Sequence, residues 1–362
     1  MKLDKVQLTD FRNIQNASFI PSRSLTLISG KNGSGKSSLI EALYYLGYGR
    51  SFRTNKHESA IRHDADRFSI FTRCAGDDGN VKNIGLQRSR HEQFVCSING
   101  NHSHRLADLV SLIPVQLFTP QSTDLIIGSP GERRRFIDWG LFHVEHEFNL
   151  LFQTFQKLLK TRNTLLKRQA NLSAPENAYW EQQFQTVGEH LSEKRKDYIG
   201  RLQPIFNAIC SEFLPEFSLE ISYYKGWDKD ASLIESLTRK RDYDTKVGYT
   251  TSGPHKSDLR FKVDGSAAQE VLSRGQLRMA VAALQLSQTT LFQQETSRRS
   301  IFLLDDVGAE LDLDKRERFI DGLVAMDTQL FVTAIEREQL EFISKYKDKK
   351  MFHVEHGHVN EE

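Results

Sequence analysis

Residues Gly30 to Ser37 read GKNGSGKS, the pattern G-x-x-x-x-G-K-[ST]. It constrains the fold because such a loop works only between a strand and a helix, and the flanks comply. LTLIS before it reads as a short strand. After it, Leu39, Ile40, Leu43 and Leu46 fall at helical spacing, with Gly47 and Gly49 as the stop. Backbone N–H groups and the positive end of the following helix favour phosphate oxygens at this junction. Gly30, Lys31, Asn32, Gly33, Ser34, Gly35 and Ser38 are the candidate wrapping residues. Lys36 is placed to reach β- and γ-phosphates, and Ser37 to ligate Mg²⁺. A plain glycine turn needs neither the Lys nor the Ser, so the expected cofactors are ATP and Mg²⁺.

The 362 residues carry 49 Lys plus Arg against 47 Asp plus Glu, a net charge of +2. The chain is no polycation, and any DNA contact requires a local patch. Cys74, Cys96 and Cys210 are odd in number and far apart, which favours a reduced compartment and small core residues over disulfides or zinc. The charged start MKLDKVQLTDF lacks the apolar run of a signal peptide, and no eighteen consecutive residues are apolar, so a cytoplasmic protein is expected. The word FHVEH occurs twice, at Phe142–His146 and Phe352–His356, without the spacing of HExxH, and no zinc site is read there.

Residues 50–118 alternate short apolar segments with turn signals such as GDDGN, the texture of strands and hairpins. From about Pro130 the texture is helical. Phe148, Leu151, Phe155, Leu158, Leu159 and Leu165 form one stripe; NLSAPEN interrupts it; Trp180, Phe184, Val187, Leu191 and Tyr198 form another. Two such helices make an antiparallel hairpin. LEISYY, DLRFKV, IFLLDDV and QLFVTAI then return to strands separated by helical segments, the alternation of an α/β sheet.

In IFLLDDVGAELD, four apolar residues make a buried strand with Asp305 at its end, where a carboxylate would hold Mg²⁺. Asp306 follows, suited to polarise an attacking water as general base. Before this strand stands VLSRGQLRMAVAAL. Ser273 reads as a helix N-cap, which leaves Gly275 and Gln276 unexplained. LSRGQ resembles the LSxGQ signature of the ATP-binding-cassette class. That resemblance implies that Ser273, Gly275 and Gln276 contact the γ-phosphate held by a second subunit, in an ATP-sandwiched homodimer. GAELD resembles the following D-loop, which would place Asp312 at the dimer seam. Gln121, in FTPQSTDL, is the candidate Q-loop residue.

LFVTAI carries Thr333 and Ala334 where a transporter subunit would have a switch His, pointing to SMC-like heads, yet the short hairpin replaces their long coiled coil. The chain resembles the RecF family along its whole length, in LTDFRNI, GKNGSGKSSLIEALYYL, GRSFRTN, GSPGERRRFID, TSGPHKSDL, LSRGQLR and LLDDVGAELD. The resemblance implies an ATP-dependent DNA-binding protein of recombinational repair and replication. It would dimerise on ATP, hydrolyse it slowly with stimulation by DNA, act on single-stranded or gapped DNA with RecO and RecR to load RecA, and support the SOS response.

The expected fold is therefore α/β, an ABC-type P-loop ATPase head with a mixed sheet plus a largely helical second lobe. Residues 1–118 would open the head, 119–245 form the helical lobe, and 246–362 complete the head. A transporter ATPase subunit and a non-catalytic P-loop domain are the rival readings; the latter has no use for Asp306 or the Ser273 elbow. Candidate DNA-binding cations are Arg133–Arg135, Lys160, Arg162, Lys167 and Arg168, Lys194–Lys196, and Arg239–Arg241, with Lys160 and Lys167 the favoured pair.

Overall fold

The computed structural model describes residues 1–76, 79–91, 94–172, 174–306, 312–335 and 343–362. By contacts the chain divides into two units, Met1–Ser122 with Phe292–Glu362, and Thr123–Leu291. The second unit thus runs on past residue 245 and includes the LSRGQ elbow.

The first unit holds two six-stranded sheets. One has the edge-to-edge order His358–Glu361, Lys349–Glu355, Leu25–Ser29, Gln329–Ala334, Ile301–Leu304, Val115–Phe118. All its pairings are parallel except that of the two C-terminal strands, so the sheet is mixed. Ile301–Leu304 and Gln329–Ala334 are buried at every position, as expected of parallel strands covered on both faces. The other sheet is an antiparallel meander, with Lys2–Phe11 between Ile14–Phe19 and Arg67–Ala75. Helix Lys36–Tyr48 joins one core with Val6, Leu8, Phe68 and Ile70 of the meander and with Ile28, Leu303 and Phe331 of the mixed sheet. It is therefore buried nearly all round, not on one stripe. It passes through Gly47 and stops at Gly49, whose φ of 60° is the left-handed cap glycine tolerates.

The second unit contains the expected hairpin, Phe148–Lys167 and Pro175–Phe213, beside a three-stranded sheet. Phe148, Phe155, Leu158, Phe184, Leu191 and Tyr198 are buried as the periodicity requires, whereas Trp180 is 42% exposed. The hairpin also buries charge. Arg162, 2% exposed, donates to Glu181 (3.1 Å), Asp244 (2.9 Å) and Thr250 (2.8 Å). Arg195, equally buried, pairs with Asp138 through two 2.8 Å bonds. Arg133 pairs with Asp258 (2.6 Å), and Arg134 donates to the Ser257 carbonyl (2.7 Å). GSPGERRRFID and TSGPHKSDL are thereby tied to each other.

These pairings remove Arg162, Arg195 and Arg133 from the candidate DNA-binding cations, because each guanidinium is itself buried and paired with a carboxylate. Removing one member of such a network strands the others. Arg162→Ala should lower stability by about 3–5 kcal/mol, read as a shifted denaturant midpoint.

Candidate nucleotide-binding site

Each site residue of the first unit is placed by a strand end or a helix start. Leu25–Ser29 delivers the loop, which opens helix Lys36–Tyr48. Gly33 (φ 79°) and Gly35 (φ 124°) turn through conformations that a side chain disfavours. A Cβ at Gly30 would lie 2.4 Å from the Val354 carbonyl oxygen, so the loop seats against Lys349–Glu355 only because that position is glycine. Ile301–Leu304 and Gln329–Ala334 are adjacent in the sheet, and their ends bring Asp305, Asp306 and Thr333 to the loop.

A cavity of about 690 Å³ is lined by Asn32, Gly33, Gly35, Lys36, Ser37 and Ser38 of the loop, and by Asp305, Asp306 and Thr333 of the strand ends. Ser37 Oγ donates to Asp305 Oδ1 at 3.3 Å, across 268 positions of sequence. Thr333 Oγ1 donates to the same oxygen at 2.7 Å and accepts the Asp306 N–H at 2.8 Å. Lys36 Nζ donates to the carbonyls of Gly30 (2.5 Å) and Lys31 (3.1 Å). Burial pulls the Lys36 ammonium below its ordinary value, against the opposing pull of Asp305 and Asp306. Burial likewise pushes the Asp305 carboxyl up, and hydrogen bonds from Thr333 and Ser37 work against it.

Asp306 has φ 53°, and its Oδ1 is buried with no hydrogen-bond partner among the described residues. Such an oxygen suits a water or a metal-bound group. Ser37 and Asp305 offer the hard oxygen ligands Mg²⁺ takes, and the loop and Lys36 suit a polyphosphate, so the residues present fit MgATP. The lining also includes Arg12, Asn13, Arg53, Arg62 and His63. Glu41, fully buried, accepts from Arg12 at 2.6 and 3.0 Å and sits 3.5 Å from Arg53. Motif spacing gives none of these a role, although LTDFRNI and GRSFRTN contain Arg12, Asn13 and Arg53; a lone Arg in a sequence does not announce which cavity it lines. In the sequence Thr333 stands out only as the residue where a switch His would be.

The remaining expected residues lie elsewhere. Gln121 is exposed on the turn Pro120–Thr123 and does not line the cavity. Ser34 stays within the loop but is buried, and its hydroxyl has no hydrogen-bond partner among the described residues. Ser273, Gly275 and Gln276 belong to the second unit, at the start of helix Arg274–Thr296. Gln276 Oε1 accepts the Ser273 N–H at 2.8 Å, and Ser273 Oγ accepts the Gln276 N–H at 3.4 Å. This is a capping box, so Gln276 has a local reason that the S-x-x-Q spacing already carried. Gly275 has none, since an added Cβ would meet nothing within 4 Å. Of the D-loop stretch, residues 308–311 lie outside the described residues; Asp312 caps helix Leu313–Ala325.

The phosphate loop, the strand-end carboxylates beside it and the mixed sheet define a P-loop ATPase head of the SMC type. The family model described as the RecF/RecN/SMC N terminal domain matches residues 2–360. "DNA replication and repair protein RecF" of Pseudoalteromonas atlantica is 52% identical over 100% of both chains, and that of Shewanella denitrificans is 38% identical over 99% of both. The chain belongs to the RecF family of DNA replication and repair proteins. In fold it is similar to the recombination mediator protein RecF–ATPrS of the RecFOR pathway (TM-score 0.88, 24% identity, 99% of this chain and 97% of that one). It is also similar to an SMC head bound to the C-winged helix domain of ScpA (TM-score 0.59, 15% identity, 100% and 97%). Among the described residues no helix is long and apolar enough to cross a membrane.

Proposed function

We propose that this chain is an ATP-driven DNA-binding switch of recombinational repair, cytoplasmic, acting on single-stranded or gapped DNA. With RecO and RecR it would help load RecA and so support normal SOS induction. The observation that carries the nucleotide half is the meeting of Ser37, Asp305, Lys36 and the unpartnered Asp306 oxygen in one cavity. In this reading Lys36 and the N–H groups of the loop bind the phosphates, Ser37 and Asp305 hold Mg²⁺, and Asp306 orients and deprotonates the attacking water. Thr333 fixes the Asp305 carboxylate and the Asp306 backbone N–H. Mg²⁺, when bound, supplies neutralisation of charge on the β- and γ-phosphate oxygens. Ser273 and Gly275 stand on an exposed helix start, where the bare Gly275 would let a partner subunit's γ-phosphate approach the backbone. Their role is thus in an ATP-bound homodimer, with Asp312 at its seam and Gln121 as Q-loop residue.

The DNA half follows from the cations left over after pairing. Lys160 and Lys167 are exposed on the first hairpin helix, and ATP-driven dimerisation would bring two such patches to one duplex or strand. DNA affinity should then require ATP and fall steeply with salt. Reversing both charges, Lys160→Glu with Lys167→Glu, removes two cations from each subunit of the dimer and should flatten the slope of log K against log salt by about 3–4, leaving ATP-driven dimerisation unchanged. An unaltered slope places DNA on another surface. DNA affinity indifferent to ATP refutes the switch.

A further inference from the structure

Two segments that the nucleotide chemistry does not use converge on one carbonyl of the phosphate loop. The Ser34 carbonyl accepts from the Gly357 N–H at 2.8 Å and from Asn13 Nδ2 at 3.2 Å. Asn13 Nδ2 also reaches the Gly33 carbonyl (3.4 Å), and its Oδ1 accepts from Ser38 Oγ (2.8 Å), so one side chain spans the loop from Gly33 to the first turn of the helix. Gly357 lies at the bend between Lys349–Glu355 and His358–Glu361, with φ 82°, and a Cβ there would stand 2.3 Å from the Asn13 carbonyl oxygen. Asn13, Ser34 and Gly357 thus meet at one point, though the first and last are separated by nearly the whole chain.

The consequence is set by peptide geometry. In a planar trans peptide the carbonyl and the next N–H point in opposite directions. A Ser34 carbonyl held from one side by two donors therefore turns the Gly35 N–H to the other, and Gly35 lines the cavity. Gly35 has φ 124° and Gly33, on the other side of Ser34, φ 79°, so two glycines flank Ser34 and the loop's own residues restrict this peptide little. Fixing a free residue costs conformational entropy, a cost that a braced loop meets on folding and an unbraced one on binding.

We propose that Asn13 and Gly357 are positioning residues that preset the phosphate loop, aiming the Gly35 N–H at phosphate before nucleotide arrives. The C-terminal hairpin is then a working part of the site, and the second FHVEH, which leads into Gly357, gains a role that the first does not share. This rests on reading the cavity as a nucleotide site.

The test uses the full chain, a fluorescent ATP or ADP analogue, and hydrogen–deuterium exchange of residues 30–36 without nucleotide. Asn13→Ala is the main variant, since Asn13 is exposed and the change leaves the core untouched. Gly357→Ala is the second, with its melting temperature as a control for folding. Both should weaken ATP and ADP alike by roughly five- to tenfold, the scale of one or two lost hydrogen bonds, and both should speed exchange in the nucleotide-free loop. Unchanged affinity and exchange in Asn13→Ala overturn the proposal. Weaker affinity with unchanged exchange also overturns it, because Asn13 would then touch the nucleotide directly. The site reading fails separately: a wild-type chain that binds neither analogue, or a Lys36→Ala variant that binds as wild type does, removes the nucleotide site itself. Lost affinity in Lys36→Ala beside full affinity and slow exchange in Asn13→Ala removes only the brace.

Discussion

Lys36→Ala is expected to weaken ATP binding ten- to hundredfold, about 1.5–3 kcal/mol, the range for a hydrogen bond to a charged group. Lys36 is buried, and its ammonium rests on the loop's own Gly30 and Lys31 carbonyls. Those bonds hold the side chain curled into the loop, where a phosphate would meet it. Lys36 also offsets two carboxylates, one of them already pushed towards its neutral form by burial. Its removal would raise Asp305 further and weaken the metal position as well. Lys36→Arg should recover little, because a planar fork does not fit where a compact ammonium lies between two phosphates. Calorimetric titration with MgATP checks this; affinity within twofold of wild type would show that the loop holds no phosphate.

Asp306→Asn should separate binding from turnover. Affinity for ATP is expected to stay near wild type while hydrolysis falls by about 10²–10⁴, the usual worth of a general base. The ATP-bound dimer should outlast that of wild type. Asn is the right replacement for a structural reason. Asp306 sits at φ 53°, a region that Asn enters readily and that Ala and Glu resist, so the backbone anchored on Thr333 is preserved. Single-turnover hydrolysis measured beside equilibrium binding decides the matter. Equal loss of both would make Asp306 a structural carboxylate, and loss of neither would move the base elsewhere.

What short-range geometry carries is legible along the chain. GKNGSGKS between a strand and a helix, the apolar IFLL ending in two carboxylates, and the two helical stripes each predict their local structure, because glycine conformation, strand burial and helical period are properties of a few adjacent residues. The tertiary structure decided what depends on distant partners. The sheet order set Leu25–Ser29 beside Gln329–Ala334 and that beside Ile301–Leu304, so Ser37 met Asp305 across 268 positions. Cation runs look alike in a sequence whether solvated or spent: Arg133, Arg162 and Arg195 lost their candidacy to carboxylates as far as 125 positions away, while Lys160 and Lys167 kept theirs. FHVEH makes the division plainest. Phe142–Val144 ends a helix, and Phe352–Glu355 is a strand paired with the one that delivers the phosphate loop. Five residues have too little intrinsic preference to choose, and the neighbouring strand, with its row of free backbone donors and acceptors, made the choice for the second copy.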